Sequence, residues 1–404
     1  MLKKTLVAAA LSLAMSIPAY ASCAFQNTVP IRTLSAGFDA WKAVTTAMAE
    51  CGNVQAELDQ EFARKHVAAF AANPALYHVG GVATESFVPL LNAGTIRPLD
   101  DLVAKYGRHL TPNQLIRVDG RIMALAMMVN TQHLMYRKDL FDQLNIPEPT
   151  TYAEVLAAAQ RIRAANLVPF PIAATMRTGW NLAQDFVNMY MGHGGSFFGA
   201  DNRPAVNSPA GLRTLETMKA LTAFMDPEYL TADSTFVQRQ FQQGRTAIAN
   251  FWASRAGAID DPRESTVVGR VRMAAAPLAI AGGKPATTVW WDGAVIARNI
   301  TDAEADAAFR VLMEGMDRQM VEANNNAAVW LIEGYRPTAS AAGALATLNA
   351  GTPAFPASTR MGLMHSAIGS TIGDFFTGRI TAEAALRTVE EKYTTAAREA
   401  GVIR

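Results

Sequence analysis

Two adjacent tryptophans, Trp290 and Trp291, stand where the chain could recognise a ligand through aromatic contact. Asp292, a glycine and an apolar, β-prone run to residue 297 follow them. Neighbouring side chains of an extended strand point to opposite faces, so one indole would pack inside and the other could face a cleft. A wholly buried aromatic strand explains these eight residues equally well, and the rest of the chain must decide.

Four further tryptophans divide by context. Trp180 lies in a polar loop that opens a helix, and Trp252 ends a strand beside Asn250. Both positions favour stacking on a ligand over core packing, whereas the surroundings of Trp41 and Trp330 favour the core. Indole rings cover the apolar C–H faces of sugars, and acidic, amide and basic side chains bind the hydroxyls. The sequence therefore predicts a carbohydrate site containing Trp180, Trp252 and one of the adjacent pair.

Catalysis is the competing interpretation. None of the six histidines belongs to a His-Glu-x-x-His zinc motif, and the chain has neither a Gly-x-Ser-x-Gly elbow nor a phosphate-binding Gly-x-x-x-x-Gly-Lys-Ser/Thr loop. Asp39, Glu85 and Asp292 are candidate carboxylates for glycoside hydrolysis, a reaction that needs two carboxyl groups at a defined separation. Isolated loop carboxylates are common, so we expect a binding protein that is not an enzyme and has no cofactor or metal.

Length and charge indicate the number of domains, and the N-terminal segment indicates the cellular compartment. The 404 residues suffice for two domains, and 36 basic residues against 35 acidic ones give no excess for binding nucleic acid. Residues 1–21 form a signal peptide, with Lys3 and Lys4 before an apolar stretch and a small-x-small site that predicts cleavage after Ala21. A retained anchor or a lipid-modified Cys23 is the alternative. The expected location is the periplasm.

The chain has two cysteines, Cys23 and Cys51. A strand is predicted at residues 29–34 and a helix at 38–50. The helix returns along the strand, so its end would bring Cys51 near Cys23. In an oxidising compartment this placement predicts a disulfide.

Alternating strands and helices begin the mature chain, with further strands expected at residues 54–58 and 77–80 and helices at 61–72 and 85–93. The pattern predicts an α/β fold with parallel strands and helices on both faces. Ligands bind such sheets beyond the carboxyl ends of the strands. This rule selects the loops at residues 35–39 and 80–86, and with them Ser35, Asp39, Gly81 and Glu85.

A resemblance to a known family extends this interpretation. The turn Asp119-Gly120, the pair Asn130-Thr131, residues 134–141 and the segment from Pro149 to Glu154 resemble the signature region of family 1 extracellular solute-binding proteins. Those proteins are carbohydrate receptors of ABC importers, the group that includes maltose-binding protein. Four later segments resemble the family in the expected order: residues 241–252, 290–316, 334–337 and 377–386.

The resemblance implies a two-lobed periplasmic-binding-protein fold (type II) that closes on its ligand about a hinge. Lobe 1 would hold residues 24–129 and 292–335, and lobe 2 residues 130–290 and 336–404. Hinge strands would cross at residues 128–131, 291–294 and 334–337. The implied function is delivery of a mono- or disaccharide, polyol or glycoside to a membrane permease by a monomeric receptor. A secreted glycosidase and a sugar sensor for a membrane kinase are the alternatives.

The resemblance also adds site residues. The family often has glycine where Trp290 and Trp291 stand, so indoles there would narrow the cleft and favour a small ligand. The cleft would also contain Asn130, Tyr335 and His365, the last where the maltose receptor carries a stacking aromatic. Three basic residues there could instead recognise an acidic sugar or a sulfonate: His133, Arg177 and Arg336.

Overall fold

The computed structural model describes residues 23–403, so the predicted signal peptide lies outside the described residues. Its strands are β1 Ile31–Ser35, β2 Val54–Leu58, β3 Val79–Ala83, β4 Leu115–Val118, β5 Arg121–Asn130, β6 Gln132–Arg137, β7 Phe170–Ile172, β8 Thr246–Trp252, β9 Val271–Ala274, β10 Trp290–Ile296 and β11 Val329–Trp330. Its helices are α1 Asp39–Glu50, α2 Phe62–Ala71, α3 Phe87–Asn92, α4 Asp100–Tyr106, α5 Lys138–Gln143, α6 Tyr152–Ala164, α7 Trp180–Gly192, α8 Pro209–Thr222, α9 Ser234–Gln242, α10 Ala256–Ile259, α11 Asp302–Gly315, α12 Arg318–Ala323, α13 Ala342–Asn349, α14 Thr359–Gly369, α15 Gly373–Phe376 and α16 Ala382–Glu399.

Two sheets organise these elements into two lobes, in agreement with the predicted α/β fold. The sheet of the first lobe has the order β11-β5-β10-β3-β1-β2, with β4 also paired to β5. The sheet of the second lobe has the order β7-β8-β6-β9. Each lobe has its own apolar core. The chain passes from the first sheet to the second between Asn130 and Gln132, and β10 carries it back.

Several local predictions are confirmed. The turn Asp119-Gly120 joins β4 to β5, and its two φ angles of 49° and 79° are those that Asp and Gly tolerate in a tight hairpin. Thr151 caps α6, because its side chain accepts a hydrogen bond from the backbone N–H of Glu154. Trp41 and Trp330 lie in the core of the first lobe.

The predicted end of the third strand at Gly80 is wrong. Gly80 and Gly81 both lie inside β3, paired on one side with β10. A Cβ atom on Gly80 would lie 2.7 Å from the ring of Phe70, and one on Gly81 would lie 2.4 Å from the Cβ of Ser35. The glycine pair therefore permits close packing within the sheet, and the loop facing the other lobe begins only at Thr84.

The predicted disulfide between Cys23 and Cys51 is present, with the two Cα atoms 4.9 Å apart. The disulfide joins the start of the described chain to the residue that follows α1. Because it closes a loop with a sequence separation of 28 residues, it should stabilise the fold by roughly 3 kcal/mol. Among residues 23–403, no helix is both long enough and apolar enough to span a membrane.

Candidate ligand-binding site

Five aromatic side chains meet between the lobes and form what we call the aromatic cluster: Trp180, Trp252, Trp290, Phe355 and His365. The ring of Trp180 lies 6.3 Å from Trp252, 5.7 Å from Trp290 and 5.4 Å from His365, measured between centroids. Trp290 lies 5.9 Å from Trp252 and 4.2 Å from Phe355. Trp180 is the exposed ring of the aromatic cluster and offers apolar surface to a ligand that enters between the lobes, while the buried rings support it from behind.

Each ring reaches the aromatic cluster from the end of an element. Trp180 begins α7 after Gly179, whose φ of 101° turns the chain into the helix. Trp252 ends β8, and Trp290 begins β10. Phe355 is held in place by a hydrogen bond from its backbone N–H to the carbonyl of Val289. Of these rings only that of Trp180 is exposed, at 41%, whereas Trp252, Trp290 and Phe355 are buried behind it.

The two adjacent tryptophans point in different directions, as the alternation of a strand predicts. Trp290 is 3% exposed and joins the core of the second lobe. Trp291 is half-buried, packs edge-on against Phe87 at 5.5 Å and borders a groove of about 410 Å³ that is lined mainly by the first lobe and closed by residues 357–359 of the second. The structure therefore brings Trp290, and not Trp291, into the aromatic cluster.

A buried hydrogen-bond chain holds Trp290 from behind. Its indole N–H donates to Oγ1 of Thr288 at 2.9 Å, and that hydroxyl donates to Oδ1 of Asn188 at 2.8 Å. The amide of Asn188 donates to Gln132, which in turn donates to Asp185. Burial raises the pKa of Asp185 to about 7. Each of these five side chains has a hydrogen-bond partner, and the connected network fixes the orientation of the Trp290 indole.

Glu85 brings the first lobe to the aromatic cluster. The indole N–H of Trp180 donates to Oε2 of Glu85. Nδ1 of His365 lies 3.7 Å from Oε1 of Glu85. Burial lowers the pKa of His365, and the nearby Glu85 carboxylate only partly offsets this, so the imidazole is neutral at pH 7. Its other nitrogen, Nε2, is buried and has no hydrogen-bond partner within residues 23–403.

Two arginines, Arg177 and Arg255, lie near carboxylates at the space between the lobes. Arg177 contacts Glu61 of the first lobe at 3.4 Å and Asp233 of the second at 3.3 Å. Arg255 donates to Gln238 at 3.0 Å. Burial lowers the pKa of Arg255, while Asp39 and Asp233 act in the opposite direction. The pairing of Arg177 crosses from one lobe to the other, as does that of Glu85.

A polar junction forms where β5 passes into the second lobe. The side chain of Asn130 donates to the hydroxyl of Ser254 at 3.2 Å and accepts from the backbone N–H of Ser254 at 3.3 Å. Asp292 is buried beside it. Burial raises the pKa of Asp292 to about 7, and a hydrogen bond with Asn130 opposes the rise. Asn130 and Asp292 therefore join the lobes at the crossing.

Several predicted site residues lie away from the aromatic cluster. His133 is fully buried between β6 and α13, where burial lowers its pKa to about 4, so it is a core histidine. Ser35 and Gly81 pack together beneath Trp41. Asn250 lines an interior cavity of the second lobe with Asp185.

The last predicted crossing also lies apart from the aromatic cluster. Tyr335 is half-buried and packs on the core of the first lobe. Arg336 is exposed, and its backbone N–H donates to Asn325. Asp39 pairs with Lys42 at 2.9 Å and faces Arg255 at the edge of the interlobe space.

Four residues of the site were missed by the sequence analysis: Glu61, Asp233, Arg255 and Phe355. Glu61 and Asp233 stand immediately before α2 and α9, where an acidic residue has an ordinary structural explanation. Arg255 follows Trp252 by three residues, and this proximity could have identified it. Nothing in the local sequence around Phe355 indicates its place.

The bacterial extracellular solute-binding protein family has a sequence model that matches residues 53–331 of this chain. The chain belongs to that family. A relative from Deinococcus radiodurans, named "Probable ABC transporter-binding protein", is 28% identical over 222 residues. That match spans 52% of this chain and 52% of the relative, about half the length of each.

Solved structures share the two-lobed fold along almost the whole chain. A solute-binding protein from Agrobacterium radiobacter in complex with ribitol has a TM-score of 0.80 at 22% identity, covering 92% of this chain and 100% of that one. One from Agrobacterium vitis with D-mannitol has a TM-score of 0.78 at 19% identity, covering 92% and 99%. The maltose-bound MalE3 of T. maritima has a TM-score of 0.78 at 18% identity, covering 91% and 99%.

Proposed function

We propose that this protein is the substrate-binding component of an ABC importer and that its ligand is a small carbohydrate: a mono- or disaccharide, a polyol or a glycoside. One observation carries the proposal. The aromatic cluster of the second lobe meets Glu85 of the first lobe through Trp180 and His365. Ring surface from one side and a carboxylate from the other is the combination that a polyhydroxylated ligand requires.

The chemistry of the contact supports a ligand with many hydroxyl groups. Indole rings remove the C–H face of a sugar from water, while Glu85 accepts from hydroxyls and the free Nε2 of His365 adds a second acceptor. Three structurally similar proteins contain ribitol, D-mannitol and maltose. These compounds share the required chemistry, and they define the first probes to test.

Closure of the lobes is the proposed working motion. Contacts of Glu85 and Arg177 across the cleft form only when the lobes are close together. A ligand that binds both lobes favours this closed state by its difference in affinity for the two states. The closed form would then deliver the ligand to the permease subunits as a monomer. We further propose export to the periplasm with cleavage after Ala21, and ligand binding without turnover.

A thermal-shift screen against sugars, polyols, sugar acids, amino acids and dipeptides tests this function. A ligand at 100 times its Kd stabilises the folded state by about 2.7 kcal/mol, so a true ligand raises Tm measurably. We expect at least one sugar or polyol to raise Tm and to be recovered unchanged. A shift with an amino acid or dipeptide, and with no carbohydrate, would contradict the proposal, as would hydrolysis of a bound glycoside.

A matched pair of variants locates the binding site. Trp180→Ala removes an exposed ring of the aromatic cluster, whereas Trp330→Ala removes a ring from the core of the first lobe. The first change should abolish the ligand-induced shift with little effect on the ligand-free Tm. The second should lower the ligand-free Tm while the shift persists.

A further inference from the structure

The charges around the aromatic cluster are unequal, and the inequality bears on which ligand the proposed carbohydrate site prefers. Glu85 is the carboxylate that touches the rings. Within residues 23–403, the only basic side chain at salt-bridge distance from it is His365. Burial disfavours the charged form of that imidazole by lowering its pKa, so no lysine, arginine or charged histidine of the described residues pairs with the half-buried Glu85.

The two neighbouring arginines, Arg177 and Arg255, have partners other than Glu85. Arg177 lies between the carboxylates of Glu61 and Asp233. Arg255 faces Asp39 and Asp233 and donates to Gln238. Within residues 23–403, neither arginine lies at salt-bridge distance from Glu85.

Ring geometry favours a cation at the same place. Trp180, Trp252 and Trp290 lie within 5.7 to 6.3 Å of one another, and Glu85 accepts from the indole N–H of Trp180. Indole is the aromatic side chain that attracts cations most strongly, and desolvation strengthens the attraction. A carboxylate bonded to the exposed indole of Trp180, with two further indoles packed behind that ring, suits an ammonium group better than a hydroxyl.

The hydrogen-bonding capacity points to the same ligand. Glu85 only accepts, and the buried Nε2 of His365 accepts when Nδ1 carries the proton and faces Glu85. An ammonium group has three donors and no acceptor. A ligand carboxylate would meet Glu85 with no donor between them, which argues against an acidic sugar as ligand.

We propose that the site prefers a protonated amino sugar or amino alditol to the neutral compound of the same shape, with the ammonium group between Glu85 and the indoles of the aromatic cluster. The inference rests on the proposed carbohydrate function and narrows its ligand class. Hydroxyl groups along the rest of the ligand would bind the remaining polar side chains of the cleft.

Calorimetric titration with matched pairs tests the preference. The probes are ribitol, D-mannitol and D-glucitol, each beside its 1-amino-1-deoxy analogue, with choline as a cation that lacks the polyol chain. At pH 7 and low salt we expect the amine of at least one pair to bind tenfold or more tightly than its neutral partner. The preference should shrink with added salt and as the pH rises through the pKa of the amine.

Glu85→Gln keeps the shape of the side chain and removes its charge, so it should abolish the preference while leaving some affinity for the neutral polyol. Glu216→Gln, a change of an exposed carboxylate on α8, should leave the preference intact. Equal or tighter binding of every neutral partner would overturn the inference and leave the carbohydrate function standing. If none of the six polyols and amines binds, the inference is overturned. If choline binds and none of those six does, the proposed carbohydrate function is overturned as well.

Discussion

The two lobes contribute unlike chemistry to the candidate site. The second lobe supplies rings, and its core surrounds the aromatic cluster whether or not the lobes touch. The first lobe supplies the carboxylates of Glu85 and Glu61, which contact Trp180 and Arg177 respectively only when the cleft is closed. The difference implies that the second lobe provides a preformed apolar platform and that the first lobe completes hydroxyl recognition on closure.

The adjacent tryptophans give the sharpest version of this comparison, because they are consecutive residues that serve different lobes. Trp290→Ala should cost about 3–5 kcal/mol of unfolding free energy, as for other buried large-to-small changes, and should also abolish ligand binding. Trp291→Ala should cost about 1–3 kcal/mol because the ring is half-buried, and should change the Kd less than threefold. Urea unfolding and calorimetry separate the two effects. Equal loss of affinity in both variants would show that both rings face the ligand.

The exposed ring of the platform should matter for binding far more than for stability. Trp180→Ala is expected to weaken ligand binding about 100-fold, the loss of roughly 2–3 kcal/mol typical of a central aromatic anchor. The ligand-free unfolding free energy should change by less than about 1 kcal/mol, since the ring is 41% exposed. Titration calorimetry at fixed protein concentration measures the first quantity. An affinity within threefold of the parent would remove Trp180 from the site.

The buried carboxyl group of Asp292, where the chain crosses between the lobes, predicts that the unfolding free energy depends on pH. Asp292 has a pKa of about 7 in the folded state and about 3.9 when unfolded, so between these values the folded state binds more protons. Its contribution to the unfolding free energy is complete below about pH 4 and is lost as the pH rises toward 7. Asp292→Asn should reduce the fall in stability between pH 5 and pH 8 by roughly 2–3 kcal/mol.

The matching control is Asp101→Asn, at an exposed carboxyl of α4. It should leave the difference in unfolding free energy between pH 5 and pH 8 as in the parent protein. A stability that rises from pH 5 to pH 8, and an Asp292→Asn variant with an unchanged slope, would show that Asp292 ionises freely in the folded state.

The peripheral contact between the lobes should have the smallest effect. Glu61→Gln breaks the charge pair with Arg177, whose side chain is 42% exposed and therefore screened. We expect an affinity change of about threefold or less, corresponding to roughly 0.2–1 kcal/mol. Surface plasmon resonance would measure the Kd of the ligand for the Glu61→Gln variant and for the parent protein. A loss beyond tenfold would mean that Glu61 contacts the ligand directly.

Predictions from the sequence succeeded where local chemistry determines local structure. Thr151 at a helix start, Asp119-Gly120 in a hairpin and the cysteine pair are each specified by a few neighbouring residues. The glycine pair at Gly80 misled the analysis, because glycine also occurs where side chains of other elements leave no room for a Cβ atom. That reason depends on Phe70 and Ser35 and is visible only in the folded protein.

The same limit applies to the site. Trp180 and Trp252 stand at element ends, and that position alone predicted their place between the lobes. His133 lies one residue from the crossing, but strand alternation turns it toward α13 and into the core. Phe355 and Asp233 reach the site through long-range packing that no nearby residue specifies. Aromatic residues at the ends of long elements are therefore predictable from sequence, whereas the residues brought to them from distant loops are not.

A crystal structure of the protein with the polyol or sugar that gives the largest thermal shift tests the central claim most directly. The account predicts one ligand between the lobes, its carbon atoms within about 4–4.5 Å of the Trp180 and Trp252 rings and a polar group hydrogen-bonded to Glu85. A ligand bound elsewhere, such as in the groove beside Trp291, with the aromatic cluster free of contact, would contradict it.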